Sequence, residues 1–585
     1  MNNDSELTEL MQSVAMKSMS LLTNMQHDST HISMIVEKYF ELFMDFQTLL
    51  TALFKNPVKI TDLQKAYWQD AFGLLQEHLE NWMTGRPKAS TDKRFLSEEW
   101  VNNPLFNLLC QQYLLASEHF NSLLLHLDFG DKQTEKRIQF FMRQYLDALS
   151  PDNFFHTNPQ LMAETIKSHG KNLLRGLKNL LGDMESGSPQ LLMKMTDMDA
   201  FTVGKNLAIT EGKVVFKNHL MELIQYTPQT PKVRSTPLLI IPPWINKYYI
   251  LDLSPHNSFV RWLVSQGITV FMISWANPDA SYANKGLYDY LHEGPISAIN
   301  VIKKQLHIKQ LNLLGFCIGG TLLAILLAYY KALNNNPIRS ATFLASMIDF
   351  SDPGDISVFI DEKQLTKLEE KMNKKGYLEG HFMAQAFNSL RASDLIWSVF
   401  IRNYLRGHDP VPFDLLYWNA DSTNMPAKMH SQYLRWMYLN NDLVKPGKIH
   451  LDPVAIDVTK IDTPTFFVST QKDHIAPWKT TYLGFQLMKG RKRFLLGGSG
   501  HIGGIIIPPG TDKYGFYQNH HEYQSPEEWL QHAVHQPGSW WPEWFAWLKK
   551  ESGRQIKAPL MSELPYKPLM DAPGSYVKVG WKTRP

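Results

Sequence analysis

The chain has 585 residues, 44% of them hydrophobic, with 16 Trp and a formal net charge of +3. Length alone argues for about four domains, a figure lowered by folds that carry long insertions within one unit. The composition excludes a largely disordered chain, and the small charge with no long basic run excludes a nucleic-acid surface. Two cysteines in so long a chain exclude a disulfide framework and fit a reducing compartment. The acidic, polar opening MNNDSELTEL does not read as a secretory signal. The longest apolar runs fall short of the roughly 18 residues that span a bilayer. A cytoplasmic protein without a transmembrane segment is the expectation.

The first part of the chain reads as helices. Leu7, Leu10, Met11, Val14, Leu21, Leu22 and Met25 recur at steps of three and four, as do Ile35, Tyr39, Leu42, Phe43, Phe46, Leu50 and Leu53 before Asn56-Pro57. A third helix opens near Thr61-Asp62, carries Trp68, Phe72, Leu75, Leu79 and Trp82, and stops around Gly85-Arg86-Pro87. This is a packing bundle or, given the methionines of the first helix, a docking surface for a partner or an apolar particle. A polar link (Pro87 to Arg94) leads to more helix up to Leu149, then a break at Ser150-Pro151. One further helix spans about Asn158 to Asp183 before the loop Glu185–Pro189.

From about residue 201 the pattern changes to strands and turns. Leu238–Ile241 is a buried strand ending at Pro242-Pro243-Trp244-Ile245-Asn246; helix, the strand Ile268–Trp275, a second helix and the strand Leu311–Leu314 follow. Ala341–Ile348 is another strand, ending in Asp349. Between Ser351 and His450 the rhythm gives way to helical, aromatic sequence, and strands resume at Thr465–Ser469 and Arg493–Leu496. Alternating strands and helices imply a parallel sheet with right-handed crossovers. The organisation expected is a helical N-terminal domain over 1–200 and an α/β domain over 201–585. The stretch 351–450 is the cap over its site.

The strand at 311–314 runs into Gly315-Phe316-Cys317-Ile318-Gly319-Gly320 and then an apolar helix rich in Leu and Ala. Strand, glycine-flanked nucleophile and helix make the nucleophile elbow of the α/β-hydrolase fold, with cysteine in place of serine. Taken alone, the stretch leaves open the lesser reading of a buried structural cysteine on a glycine-rich turn. The rest of the triad decides: in this fold the order is nucleophile, acid, histidine. Asp473 follows the strand at 465–470 and His501 follows the strand at 493–496, both at carboxyl ends, where open α/β sheets carry their sites. Asp349 is the competing acid. His474 adjoins Asp473 and suits a supporting or substrate role better, since consecutive residues rarely converge on one nucleophile. Gly498–Gly503 matches a dinucleotide pattern literally, but Ile505-Ile506-Ile507-Pro508-Pro509 cannot open the helix that would hold a pyrophosphate. No metal-ligand motif is present and no cofactor is expected.

A cysteine nucleophile has a chemical consequence. Attack on a thioester gives another thioester, so the acyl group stays activated, and transfer to an alcohol then runs downhill. The oxyanion would be held by the Ile318 N–H and by an N–H from the loop Trp244–Asn246, with Asn246 the candidate.

Trp100-Val-Asn-Asn-Pro104, Pro242–Leu253, Gly315–Gly320, Trp418–Pro426, Gly500–Gly504 and Gly538-Ser-Trp-Trp-Pro542 resemble, in order, blocks of the polyhydroxyalkanoate synthases, class I by length. Gly503-Gly504 departs slightly, where alanine is expected at one position. The first ninety residues lie outside these blocks. The resemblance implies polymerisation of (R)-3-hydroxyacyl groups, 3-hydroxybutyryl above all, from coenzyme A thioesters with release of coenzyme A. It assigns Cys317 as acyl carrier, His501 as base, and Asp473 as partner of His501 or activator of the substrate hydroxyl. It further implies a homodimer at the surface of polymer granules, with granule-associated proteins as partners. Trp244, His474 and Arg391 are the remaining candidates for substrate contact. A thioesterase or depolymerase of the same fold is the rival reading.

Overall fold

The computed structural model describes residues 9–17, 44–55, 57–185 and 193–580; the readings on Leu7, on residues 18–43, on Asn56 and on the loop at 186–189 lie outside these. The chain divides into two compact units. One comprises residues 1–197 with 388–411, the other residues 198–387 with 412–585. Among the described residues no helix is long and apolar enough to cross a membrane.

The first unit is helical. Helix α1 (Pro57–Met83) begins four residues before Thr61, because Pro57 with its fixed φ suits a helix's first turn. Its Trp68, Phe72 and Leu79 are more than half exposed. Helix α2 (Pro104–Leu125) is capped by the Asn103 side chain, which accepts from the N–H groups of Leu105 and Phe106. Helix α3 (Lys132–Ala148) is capped in the same way by Asp131. The single helix expected over 158–183 is two, α4 (Pro159–Lys167) and α5 (Lys171–Met184). His169 and Gly170 take left-handed φ values of 52° and 79°, which end one helix before the next begins. Asn172 spans the break, accepting from Ser168 Oγ and donating to Thr165 Oγ1, each at 2.8 Å.

Residues 388–411 join this unit through α5. Asn172 Nδ2 donates to Leu405 O, and Tyr404 OH donates to Asp183 Oδ2 at 2.7 Å. A Cβ on Gly176 would strike the Tyr404 carbonyl, so glycine there allows close approach of the two segments.

The second unit is built on one eleven-stranded sheet. Its strands are β1 (Gly212–Lys217), β2 (Met221–Tyr226), β3 (Leu238–Ile241), β4 (Val270–Trp275), β5 (Leu311–Phe316) and β6 (Ile338–Leu344). They continue with β7 (Thr465–Thr470), β8 (Lys492–Gly497), β9 (Phe516–Asn519), β10 (Val534–Gln536) and β11 (Met570–Asp571). The spatial order is β10-β9-β8-β7-β6-β5-β3-β4-β2-β1-β11. The six strands β3 to β8 are mutually parallel, as the alternation predicts. The edges are antiparallel, so the sheet is mixed. Every residue of β3, β4, β5 and β7 is buried, which is why these strands read as apolar runs. The crossover helices include α6 (Phe259–Ser265), α7 (Ser297–Leu306), α8 (Ile318–Ala332) and α9 (Trp478–Gln486); α10 (Trp541–Glu551) follows β10. Helix α8 is buried from Ile318 through Tyr330, a helix apolar on all sides.

Candidate active site

Cys317 stands between β5 and α8 with φ 53° and ψ −125°, a conformation costly for a residue with a Cβ. Packing enforces it. A Cβ on Gly315 would lie 2.5 Å from the Gly320 Cα, one on Gly319 would strike the Ile241 carbonyl, and one on Gly320 would strike Ser346 Oγ. The Cys317 N–H donates to Leu344 O at 2.9 Å, pinning the turn to the end of β6. Cys317 is half-buried, whereas Cys110 is enclosed against Asn107 O and burial pushes its thiol up to about 11.

The acid and the histidine arrive from the ends of β7 and β8. Asp473 Oδ1 accepts the N–H groups of Ile475 and Ala476, each at 2.9 Å. Its Oδ2 accepts from Thr470 Oγ1 and lies 2.7 Å from His501 Nδ1. Both side chains are almost wholly buried. The two loops are stitched together by the Lys472 N–H, which donates to Ser499 O at 2.8 Å. The His501 ring stacks on Phe316, the residue before Cys317. Burial alone would press His501 toward its neutral form. The charges of Asp473 and Cys317, and hydrogen bonds to both, outweigh it and hold the imidazole well above its ordinary range. The structure thus brings Cys317, Asp473 and His501 together. Asp349 is elsewhere: its carboxylate is taken by the Ser351 N–H and by Asn441 Nδ2.

Ile318 opens α8, where the first N–H groups have no acceptor within the helix. The start of α8 lies directly against Ile241 and Pro242, so the loop after β3 borders the elbow. Asn246 in that loop forms an isolated backbone bridge with Ser422. Trp244 is buried among Trp275 and Tyr290. Lys247 fixes the loop from below: its Nζ donates to Val577 O at 2.6 Å and pairs with Asp421 at 2.8 Å, while its carbonyl accepts the Trp418 indole N–H. His474 is half-buried, and its carbonyl lies near Gly354. Arg391 is an exposed residue of the first unit, paired with Asp394, which also takes Lys93.

Sequence reasoning missed two residues. Tyr433 and Tyr438 lie close enough to Cys317 to feel its charge. Burial first, and then that charge among others, keeps both phenols above their usual range and therefore protonated. Their spacing of five puts them on opposite faces of an α-helix. The π-helical turn Leu434–Leu439 brings the rings to 5.5 Å instead. Only the π turn, which leaves no periodic trace, would have revealed them. Among the described residues no cluster of His, Cys, Asp and Glu could hold a metal ion.

Comparison with known proteins agrees with this fold. A family model described as the poly-beta-hydroxybutyrate polymerase (PhaC) N-terminus matches residues 91–263, and one for the alpha/beta hydrolase fold matches residues 236–506. A poly(3-hydroxyalkanoate) polymerase of Methylorubrum extorquens is 47% identical over 84% of this chain and 81% of its own length. The PhaC polymerase subunit of Rhizobium etli is 45% identical over 84% and 77%, and that of Cupriavidus necator is 40% identical over 89% of each chain. With an α/β-hydrolase sheet, and relatives this similar over most of its length, the chain belongs to the poly(3-hydroxyalkanoate) polymerase family.

Proposed function

We propose that this chain polymerises (R)-3-hydroxyacyl groups, 3-hydroxybutyryl foremost, from coenzyme A thioesters into a polyester, with Cys317 as the covalent carrier. The observation that carries the reading is a cysteine at a strained elbow facing a histidine that a buried carboxylate keeps oriented. Relatives of 40–47% identity that are named as polymerases support it.

In loading, Cys317 Sγ attacks the thioester carbonyl, its proton passes to His501, and coenzyme A leaves with that proton. In elongation, the 3-hydroxyl of another acyl group attacks an acyl-Cys317 thioester while His501, oriented by Asp473, takes the hydroxyl proton. The new ester C–O bond forms as the acyl–Sγ bond breaks, and His501 returns the proton to the departing Cys317 Sγ, so a thioester is exchanged for an ester and the step runs downhill. N–H groups of Ile318 and of the loop carrying Asn246 would hold the oxyanion. The protonated phenols of Tyr433 and Tyr438 add donors beside the nucleophile. No cofactor enters either step. The same reading places the protein in the cytoplasm as a homodimer on the surface of its polymer granules, alongside granule-associated proteins. Residues 351–387 and 412–450, the parts of the insertion that stay with the second unit, would then shield the thioester from water.

The test is purified protein given (R)-3-hydroxybutyryl-coenzyme A, with free thiol and polymer measured together. Thiol release accompanied by high-mass polyester is expected. Thiol release with only free 3-hydroxy acid would make the protein a thioesterase.

A further inference from the structure

The block Gly538-Ser-Trp-Trp-Pro542 lies far in sequence from the triad and has no part in the steps above. The Trp540 indole N–H donates to Gly504 O at 3.0 Å, the Trp541 indole N–H to Ile505 O at 2.9 Å, and Ser539 Oγ to Ile507 O. Three successive side chains thus hold three carbonyls of the loop that begins with His501. Both indoles are fully buried. We infer that Trp540 and Trp541 are positioning residues for His501, acting as a rigid clamp on the histidine loop.

The clamp is anchored to the sheet on which the nucleophile and the acid stand. Trp544, in α10, donates its indole N–H to Thr342 Oγ1 of β6 at 2.9 Å, and Glu543 accepts from Arg493 of β8 at 2.8 Å. Phe259 of α6 packs edge-on to Trp541 and against Trp540 and Trp544. The rings therefore cannot swing without disturbing two layers of the core. On the other side the loop is a tight coil: the Gly504 N–H donates to Gly500 O and the Ile505 N–H to Ile502 O, bracketing His501. A Cβ on Gly504 would strike Thr470 Cγ2, whereas one on Gly503 would meet only Ser499 Oγ, at 3.2 Å. Alanine is thus tolerable at 503 and excluded at 504. The Gly504 carbonyl takes Trp540 on one side while its own N–H closes the turn under His501. Loss of the indole donors would free the loop, and with it the distance and angle between His501 and Cys317, while the substrate-binding surface stays as it was. Catalysis depends steeply on such geometry.

The inference rests on Cys317 and His501 being catalytic, so the experiment carries a His501→Ala control. Trp540→Phe and Trp541→Phe, singly and together, remove the N–H donors and keep the aromatic bulk; Ser539→Ala is the mildest member of the series. Turnover, KM for (R)-3-hydroxybutyryl-coenzyme A, and the pH profile of Cys317 alkylation by iodoacetamide are read for each, the last by peptide mass spectrometry on the folded fraction. In the double variant kcat should fall about tenfold or more with KM within about twofold, since misorientation removes transition-state stabilisation and not binding. Alkylation of Cys317 at pH 6 should fall with it, because an imidazolium in place beside the sulfur favours the reactive thiolate. Unchanged kcat and alkylation in the folded double variant would overturn the inference. So would a loss of activity that follows only the loss of folded protein. If His501→Ala keeps full activity, the catalytic reading itself fails and the clamp has nothing to position.

Discussion

Asp473→Asn separates the two half-reactions. Oδ1 of Asp473 accepts two backbone N–H groups, from Ile475 and Ala476, so the amide oxygen of an asparagine must take that place. The amide NH2 then occupies the Oδ2 position and faces His501 Nδ1 at about the present 2.7 Å. A donor there forces Nδ1 to accept and moves the ring proton to Nε2, toward Cys317. A histidine in the wrong tautomer cannot take a proton from a nucleophile. In a serine-protease triad the equivalent change costs about 10⁴ in rate, or roughly 5 kcal/mol. Elongation requires an alcohol to give up its proton and should bear that full loss. Loading needs only a thiol, and an unassisted thiol of pKa about 8.5 is already about one-tenth ionised near pH 7.5. Loading should therefore fall only about tenfold. Rapid-quench mass spectrometry of the acyl-enzyme measures loading, and the rate at which ester-linked oligomer appears measures elongation. Equal losses in both would mean that loading needs His501 as a base as much as elongation does and that the reasoning from proton affinity is wrong.

Other outcomes follow from the same geometry. Gly320→Ala should fail to fold at 37 °C or lose about 1–3 kcal/mol in chemical denaturation, because its Cβ meets Ser346; Ser346→Gly in the same chain should recover most of the loss, and no recovery would refute the packing argument. Burial holds His430 down to about 4, and neither ring nitrogen has a partner among the described residues. The unfolded chain binds the extra proton, so stability is complete above about pH 6.5 and falls as pH drops toward 4, by about 3 kcal/mol in all. His430→Met should flatten that acid limb of the unfolding midpoint, and an unchanged limb would contradict the assignment. Hydrogen exchange over residues 351–387 and 412–450, which belong to the second unit, should slow on adding a non-hydrolysable substrate analogue if the insertion gates the site; slow exchange in both states would make it a fixed wall.

The sheet and the three triad candidates were legible because each leaves a local mark: a buried apolar run, a glycine-flanked nucleophile, a polar residue just after a strand. Order then singled out Asp473 and His501 as candidates, and the structure brings the two into contact. What stayed hidden depends on partners far away in sequence. Residues 388–411 share the helical, aromatic character of their neighbours, and it is long-range bonds, such as those of Tyr404 and Leu405 to Asp183 and Asn172 and of Arg406 to Glu164, that draw them to the first unit. The break at His169-Gly170 was visible as a glycine, but the apolar period runs on through it. The antiparallel edge strands β9, β10 and β11 are short and partly exposed, so they lack a hydrophobic run. Tyr433 and Tyr438 needed a π turn to face the same way, and the block holding Trp540 and Trp541 gives no sign in sequence that their N–H groups reach the histidine loop.

The most direct measurement is on Cys317 itself. Wild-type protein and the Cys317→Ala and Cys110→Ala variants are incubated with (R)-3-hydroxybutyryl-coenzyme A, quenched in acid and digested for mass spectrometry. Hydroxybutyryl or a short oligomer should be found on Cys317 in wild type and in Cys110→Ala, with coenzyme A release retained in both and lost in Cys317→Ala. Acylation at another residue, or undiminished coenzyme A release by folded Cys317→Ala, would contradict it.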